Sequence, residues 1–232
     1  MDEKKNIGSL FDRIAARYDL LNHLLSLNID RRWRRLSVAG IRPIARNAQA
    51  LDVAVGTADL ALELVRQGKT DHVQGLDLSR QMMRIGELKV QRAGMANQIC
   101  FTEGSALDMP FEDKQFDLVT CAYGVRNFAD LDRGLSEMLR VLKTDGQLMI
   151  LEFSYPSNHL IAWLYDLYFS YILPWVGRLV SKDRTAYTYL NRSVKHFVWG
   201  EQMCQRLRQA GFRHVRHRPL TFGITTVYYA VR

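Results

Sequence analysis

The chain has 232 residues, 47% of them hydrophobic and 24% charged, with a formal net charge of +8. That length and balance suit one large α/β domain with a filled core and exclude a disordered or low-complexity chain. The opening MDEKKNIGSLF lacks the apolar run of a secretory signal, and Cys100, Cys121 and Cys204 are odd in number, widely spaced and match no metal-ligand pattern. A cytoplasmic protein with reduced thiols and no metal site is expected.

From Gly8 to about Ser26, the residues Leu10, Phe11, Ile14, Tyr18, Leu21 and Leu25 recur at helical spacing. Short apolar strands then alternate with helices: strand Ala50 to Val53, helix Ala58 to Gln67, strand His72 to Leu76, helix Ser79 to about Ala93. Strands follow at Ile99 to Glu103, Phe116 to Tyr123 and Gln147 to Phe153, with a helix from about Leu131 to Leu142 between the last two. Asp130 is placed to cap that helix. Such alternation predicts parallel pairing with right-handed crossovers. Arg213 to Leu220 and Ile224 to Val231 read instead as a hairpin. The expected fold is a doubly wound, mostly parallel seven-stranded α/β sheet with an antiparallel edge strand and N-terminal helices. One domain spans 1–232, with a helical lid region over 1–47 and a helical insertion over 156–198.

The first strand runs into LDVAVGTADL, residues 51–60, a tight turn of small residues in which Gly56 is the one glycine. Asp77 ends the second strand, 21 residues after Gly56, where an acid accepts hydrogen bonds from the two ribose hydroxyls of an adenosine. Asp77 capping the next helix is the structural alternative. Asp52 and Asp59 bracket the turn. Two carboxylates repel a pyrophosphate but complement the ammonium and sulfonium of S-adenosylmethionine, which makes a dinucleotide the lesser choice.

Longer stretches carry a resemblance. YDLLNHLLSLNIDRRW (Tyr18 to Trp33) and RVLKTDGQLMILEFS (Arg140 to Ser154) resemble the two signatures of the ubiquinone/menaquinone biosynthesis C-methyltransferases, and SALDMPF (Ser105 to Phe111) and AYGVRNFAD (Ala122 to Asp130) match between them. The resemblance implies a class I S-adenosylmethionine-dependent methyltransferase in which Thr57, Asp77, the Ser105–Ala106 pair and Ala122 line the cofactor, beside Asp52 and Gly56. Ala54, Val55 and Ala58 stand where the family's loop is richer in glycine, Asp30 replaces a histidine and Asp145 a glycine.

The resemblance also implies the acceptor: a ring carbon of a polyprenylated quinol, either demethylmenaquinol or the benzoquinol precursor of ubiquinone. A hydroquinone, especially as its phenolate, pushes electrons to the ring carbon that attacks the sulfonium methyl, whereas a quinone is electron-poor. Arg126 and Asn127 follow the fourth strand on the side where this fold binds substrates, Arg126 to stabilise the phenolate and Asn127 to orient the ring. Tyr18, with Asp19 and Asn22, lies at helical spacing on the lid and is counted as the third catalytic residue, with a packed tyrosine beside a helix-surface acid as the structural alternative. Tying the loop to a neighbouring helix is the structural alternative for Arg126 and Asn127. His23 and His196 are candidate bases, with a structural role the simpler reading.

Charge is uneven: six arginines and no acid fall between Arg31 and Arg46, and ten Lys or Arg against two acids between Arg178 and Arg218. A solvated basic face is the plain explanation. Nucleic-acid methylation is disfavoured, because no Asn/Asp-Pro-Pro-aromatic site follows the fourth strand and no proline precedes Cys121. A non-catalytic membrane module would not need Asp77. Residues 160–177, LIAWLYDLYFSYILPWVG, form the most apolar stretch, but Asp166 and Pro174 interrupt it and argue against a membrane span. A lid or amphipathic helix contacting the polyprenyl tail, in peripheral contact with the inner face of the cell membrane, is expected instead, with Arg178, Lys182 and Arg184 at its flank for anionic headgroups; a core helix covering the sheet is the structural alternative. A homodimer stays open.

Overall fold

The computed structural model describes residues 12, 15, 23, 26, 28–45, 47–168, 193, 194 and 197–232. Its sheet contains β1 (Gln49–Val53), β2 (His72–Asp77), β3 (Ile99–Glu103), β4 (Phe116–Ala122), β5 (Leu142–Phe153), β6 (Arg213–Leu220) and β7 (Thr225–Val231). These stand in the order β3-β2-β1-β4-β5-β7-β6. The first five pair in parallel; β7 is antiparallel to both of its neighbours. The expected hairpin thus inserts β7 between β5 and β6. All seven residues of β7 are buried, whereas β6 is largely exposed and carries Arg213, Arg216, Arg218 and Pro219. Charge and a proline protect an edge from further pairing, so β6 rather than β7 lies outermost.

The helices are α1 (Ile29–Ala39), α2 (Asp59–Arg66), α3 (Arg80–Arg92), α4 (Leu131–Val141), α5 (His159–Leu167) and α6 (Glu201–Gln209). Side chains alternate across each strand, and both faces are apolar. On one face Met149 and Leu151 of β5 join Trp33 and Val38 of α1, Leu60 and Leu64 of α2, and Val90 of α3. On the other, Leu148 and Ile150 join Leu135 and Met138 of α4 and Met203 and Leu207 of α6. Buried apolar surface stabilises by roughly 25 cal/mol per Å², and here it fixes a rigid platform whose strand C-termini share one rim. Asp130 caps α4 as expected, its Oδ1 accepting from Arg133 N at 3.0 Å.

Strand order reverses between β1 and β4, which both pair in register through Asp52↔Thr120. Ligands bind such sheets beyond the strand ends at that reversal. β5 starts at Leu142, earlier than the pattern suggested, with a register shift between Phe116 and Leu118 and with Asp145 at φ 61°.

Candidate active site

After β1 the chain turns through Ala54, Gly56 and Ala58, all with left-handed backbone at φ 55°, 54° and 66°. For the two alanines that conformation is strained by about 1–2 kcal/mol each. Asp145 shares it. Three of the positions where the sequence departs from the family's glycines therefore keep the glycine conformation without the glycine. A Cβ on Gly124 would meet Ala54 Cβ and Cys121 Sγ, each at 2.7 Å, so the turn packs closely against the chain leaving β4.

The two acids of this rim differ in their surroundings. Asp77 is locked by backbone: Gly56 N donates to Oδ2 and Ser79 N to Oδ1, both at 2.8 Å. Burial pushes its pKa up and these bonds oppose the rise. Asp52 is fully buried, takes Thr120 Oγ1 at 2.8 Å on Oδ1, and has no partner on Oδ2. Burial raises its pKa to about 7, so a nearby cation decides whether it is ionised at neutral pH. Asp59, read as a second acid for the cofactor, is already matched by the protein's own cations: Lys89 bonds Oδ1, while Arg34 Nη2 and His23 Nε2 lie 3.7 and 3.8 Å from Oδ2. Thr57 is buried, and its hydroxyl accepts from Lys89 Nζ at 3.2 Å. Ser105, whose Oγ accepts from Leu107 N, and Ala106 follow β3, and Ala122 ends β4. The rim thus gathers Gly56, Thr57, Asp77, Ser105, Ala106 and Ala122. A backbone-held carboxylate and a buried acceptor lacking a partner fit S-adenosylmethionine, which carries ribose hydroxyls and an ammonium.

Next to the turn, Arg126 and Asn127 occupy a 3₁₀ turn, Val125–Asn127. Arg126 does not present an unmatched charge. Its Nη1 donates to Glu152 Oε1 at 2.7 Å and to Tyr123 O, and its guanidinium lies 5.3 Å over the Phe153 ring. Glu152 is fully buried and also accepts from Phe153 N at 2.8 Å and Arg126 N at 3.3 Å. Burial pushes its pKa up, against the pull of Arg126. Asn127 Nδ2 donates to Tyr123 O at 3.4 Å. Tyr123 has φ 58°, stacks on Phe153 with centroids 4.6 Å apart and faces Arg34, whose Cζ is 5.6 Å from its ring.

Sequence reasoning missed Glu152, Tyr123 and Arg34. Glu152 left one signal, an acid inside the apolar run MILEF. Tyr18, Asp19, Asn22 and His196 lie outside the described residues, as do Arg178, Lys182 and Arg184. His23 is described: its Nδ1 is 2.8 Å from Asp30 Oδ2, and Asp30 also accepts from Ser26 Oγ and Arg34 Nη1, so the acid replacing the family's histidine is fully engaged.

Comparison with known proteins matches this geometry. A model of the ubiE/COQ5 methyltransferase family covers residues 1–232. The demethylmenaquinone methyltransferase of Bacteroides fragilis is 42% identical over 233 residues, 100% of this chain and 95% of the relative. A ubiquinone/menaquinone biosynthesis C-methyltransferase, UbiE, of Geotalea daltonii is 43% identical over 228 residues, 98% of this chain and 96% of that protein. A Thermotoga maritima S-adenosylmethionine-dependent methyltransferase superposes with a TM-score of 0.69 at 17% identity, over 97% of this chain and 98% of that one, a likeness of fold. Matched by the family model over residues 1–232 and by relatives along its whole length, this chain belongs to the ubiE/COQ5 methyltransferase family and is an S-adenosylmethionine-dependent C-methyltransferase.

Proposed function

We propose that the acceptor is a polyprenylated quinol, demethylmenaquinol, methylated on a ring carbon to menaquinol, with the benzoquinol precursor of ubiquinone as the second reading. The relatives' names support both. The observation that carries the chemistry is the buried Arg126–Glu152 pair at the ends of β4 and β5, beside the cofactor turn.

S-adenosylmethionine, when bound, supplies an electrophilic methyl group on a sulfonium. Asp77 holds the ribose, Asp52 faces the ammonium, and Thr57, Ser105, Ala106 and Ala122 complete the walls. Phenols ionise near pH 10, so neutral-pH chemistry needs a proton acceptor or a fixed cation. Glu152, with its pKa raised by burial, takes the quinol's O–H proton. Arg126, held by Glu152, sets its guanidinium beside the phenolate and stabilises it directly or through water. S-adenosylmethionine would supply the methyl group to the ring carbon and leave as S-adenosylhomocysteine; the ring's own C–H proton passes to water as aromaticity returns, and Glu152 gives its proton back to the phenolic oxygen. Asn127 orients the ring, and Tyr18 closes the lid. Residues 1–47 serve as that lid. Asp12 supports this role, since it accepts from Ser79 Oγ at 2.5 Å across the N-terminus of α3.

The enzyme meets its lipid-tailed substrate at an anionic bilayer. Leu160, Trp163, Leu164 and Leu167 form an exposed stripe at i, i+3, i+4 and i+7 along α5, opposite buried Tyr165. Phe222, 75% exposed, projects from the β6–β7 turn. That turn is held by Trp33 Nε1 donating to Thr221 Oγ1 at 2.7 Å, and exposed Arg31 and Arg32 of α1 offer charge to anionic headgroups. Among the described residues no helix is long and apolar enough to cross a membrane.

Incubating the protein with methyl-labelled S-adenosylmethionine and a cell extract tests the reading. Label should enter the lipid fraction as a methylated quinone. Label confined to nucleic acid, or no lipid label despite cofactor binding, would overturn it.

A further inference from the structure

Two buried polar atoms of the rim have no hydrogen-bond partner, carry opposite charge and lie within electrostatic reach of each other. One is Asp52 Oδ2. The other is Nε of Arg34, a side chain that α1 delivers into the interior with only 8% of the residue exposed. A buried N–H on a charged group is rarely left unmet in native proteins, so each such atom needs an explanation.

The two edges of the Arg34 guanidinium are unequal. Nη1 donates to Asp30 Oδ2 at 2.5 Å. Nη2 has only a 3.7 Å ion pair with Asp59 Oδ2, beyond hydrogen-bond length. The Nε/Nη2 edge is therefore a fork without its acceptor, and a planar carboxylate matches such a fork with two parallel hydrogen bonds. A polyanion does not suit the place, because Asp30, Asp52 and Asp59 surround it. A single carboxylate with a cation at its side does. Asp52 waits for that cation.

We propose that Arg34 and Asp52 form the subsite for the α-amino-acid end of the cofactor, the Arg34 Nε/Nη2 edge taking the carboxylate and Asp52 Oδ2 the ammonium. Arg34 is then a cofactor-binding residue supplied by the segment ahead of the sheet, not one more charge of a basic face. Docking of α1 is coupled to cofactor binding through it. The assignment holds whatever the methyl acceptor.

Two ligands isolate the subsite: S-adenosylhomocysteine, which has the amino-acid end, and 5′-methylthioadenosine, which has the same nucleoside and lacks it. In calorimetric titrations, Arg34→Gln should weaken S-adenosylhomocysteine about ten- to hundredfold, the value of a charge-assisted pair. Binding of 5′-methylthioadenosine should change by less than about twofold on the same scale. Because Arg34→Gln also removes a partner of Asp30, Arg34→Lys keeps the charge and abolishes the fork; it too should lose affinity for S-adenosylhomocysteine alone. Asp52→Asn should show the same selectivity. Equal losses for both ligands in the folded Lys variant, or no loss for either, would overturn the assignment.

Discussion

The half of the rim proposed for the cofactor and the half proposed for the substrate are built by different means. Around β1 and β2 the groups proposed to bind the cofactor are held by nearby backbone: Gly56 N and Ser79 N fix Asp77, beside a turn of left-handed residues. Around β4 and β5 the groups are held by each other across long stretches of chain. Arg126 and Glu152 are 26 residues apart. A backbone-held site loses affinity when a side chain is removed. A site of mutually held charges loses its fold.

The largest expected effect follows from that difference. Glu152→Ala leaves the Arg126 guanidinium buried without its counter-charge, which destabilises by about 3–5 kcal/mol. Urea denaturation should read the loss, and a value below about 1 kcal/mol would mean that water or another group replaces Glu152 and that the halves are not distinct. Asp77→Ala acts on the other half. Losing charge-assisted hydrogen bonds of about 1.5–3 kcal/mol should weaken S-adenosylmethionine roughly ten- to hundredfold in calorimetry, with a smaller stability loss than Glu152→Ala. Unchanged affinity would remove Asp77 from the ribose site. The smallest effect is expected in the turn itself. Ala54→Gly relieves left-handed strain but loosens the unfolded chain, for a net gain below about 1 kcal/mol. A loss in thermal melting would show that the Ala54 methyl packs usefully against the exit of β4.

This contrast also explains what the sequence made legible. The strand–helix order, the Asp77 spacing and the Asp130 cap depend on neighbours in the chain, and all three were readable from it. The turn was visible as a run of small residues, but its left-handed backbone at Ala54 and Ala58 was not. Arg126 and Asn127 stand after β4 as read, yet the charge of Arg126 was read as available because its partner lies on another strand. The basic run Arg31, Arg32, Arg34 and Arg35 looked like one solvated face. Three of these are exposed, but helical periodicity turns Arg34 inward with Trp33 and Val38. A charge count could not separate them.

The most direct measurement compares the two redox forms of the acceptor. With labelled S-adenosylmethionine under anaerobic conditions, chemically reduced demethylmenaquinol should be methylated and the oxidised quinone should not, since only the hydroquinone can give the phenolate that Arg126 and Glu152 are proposed to serve. Methylation of the oxidised quinone at a similar rate, with re-reduction excluded, would contradict that chemistry.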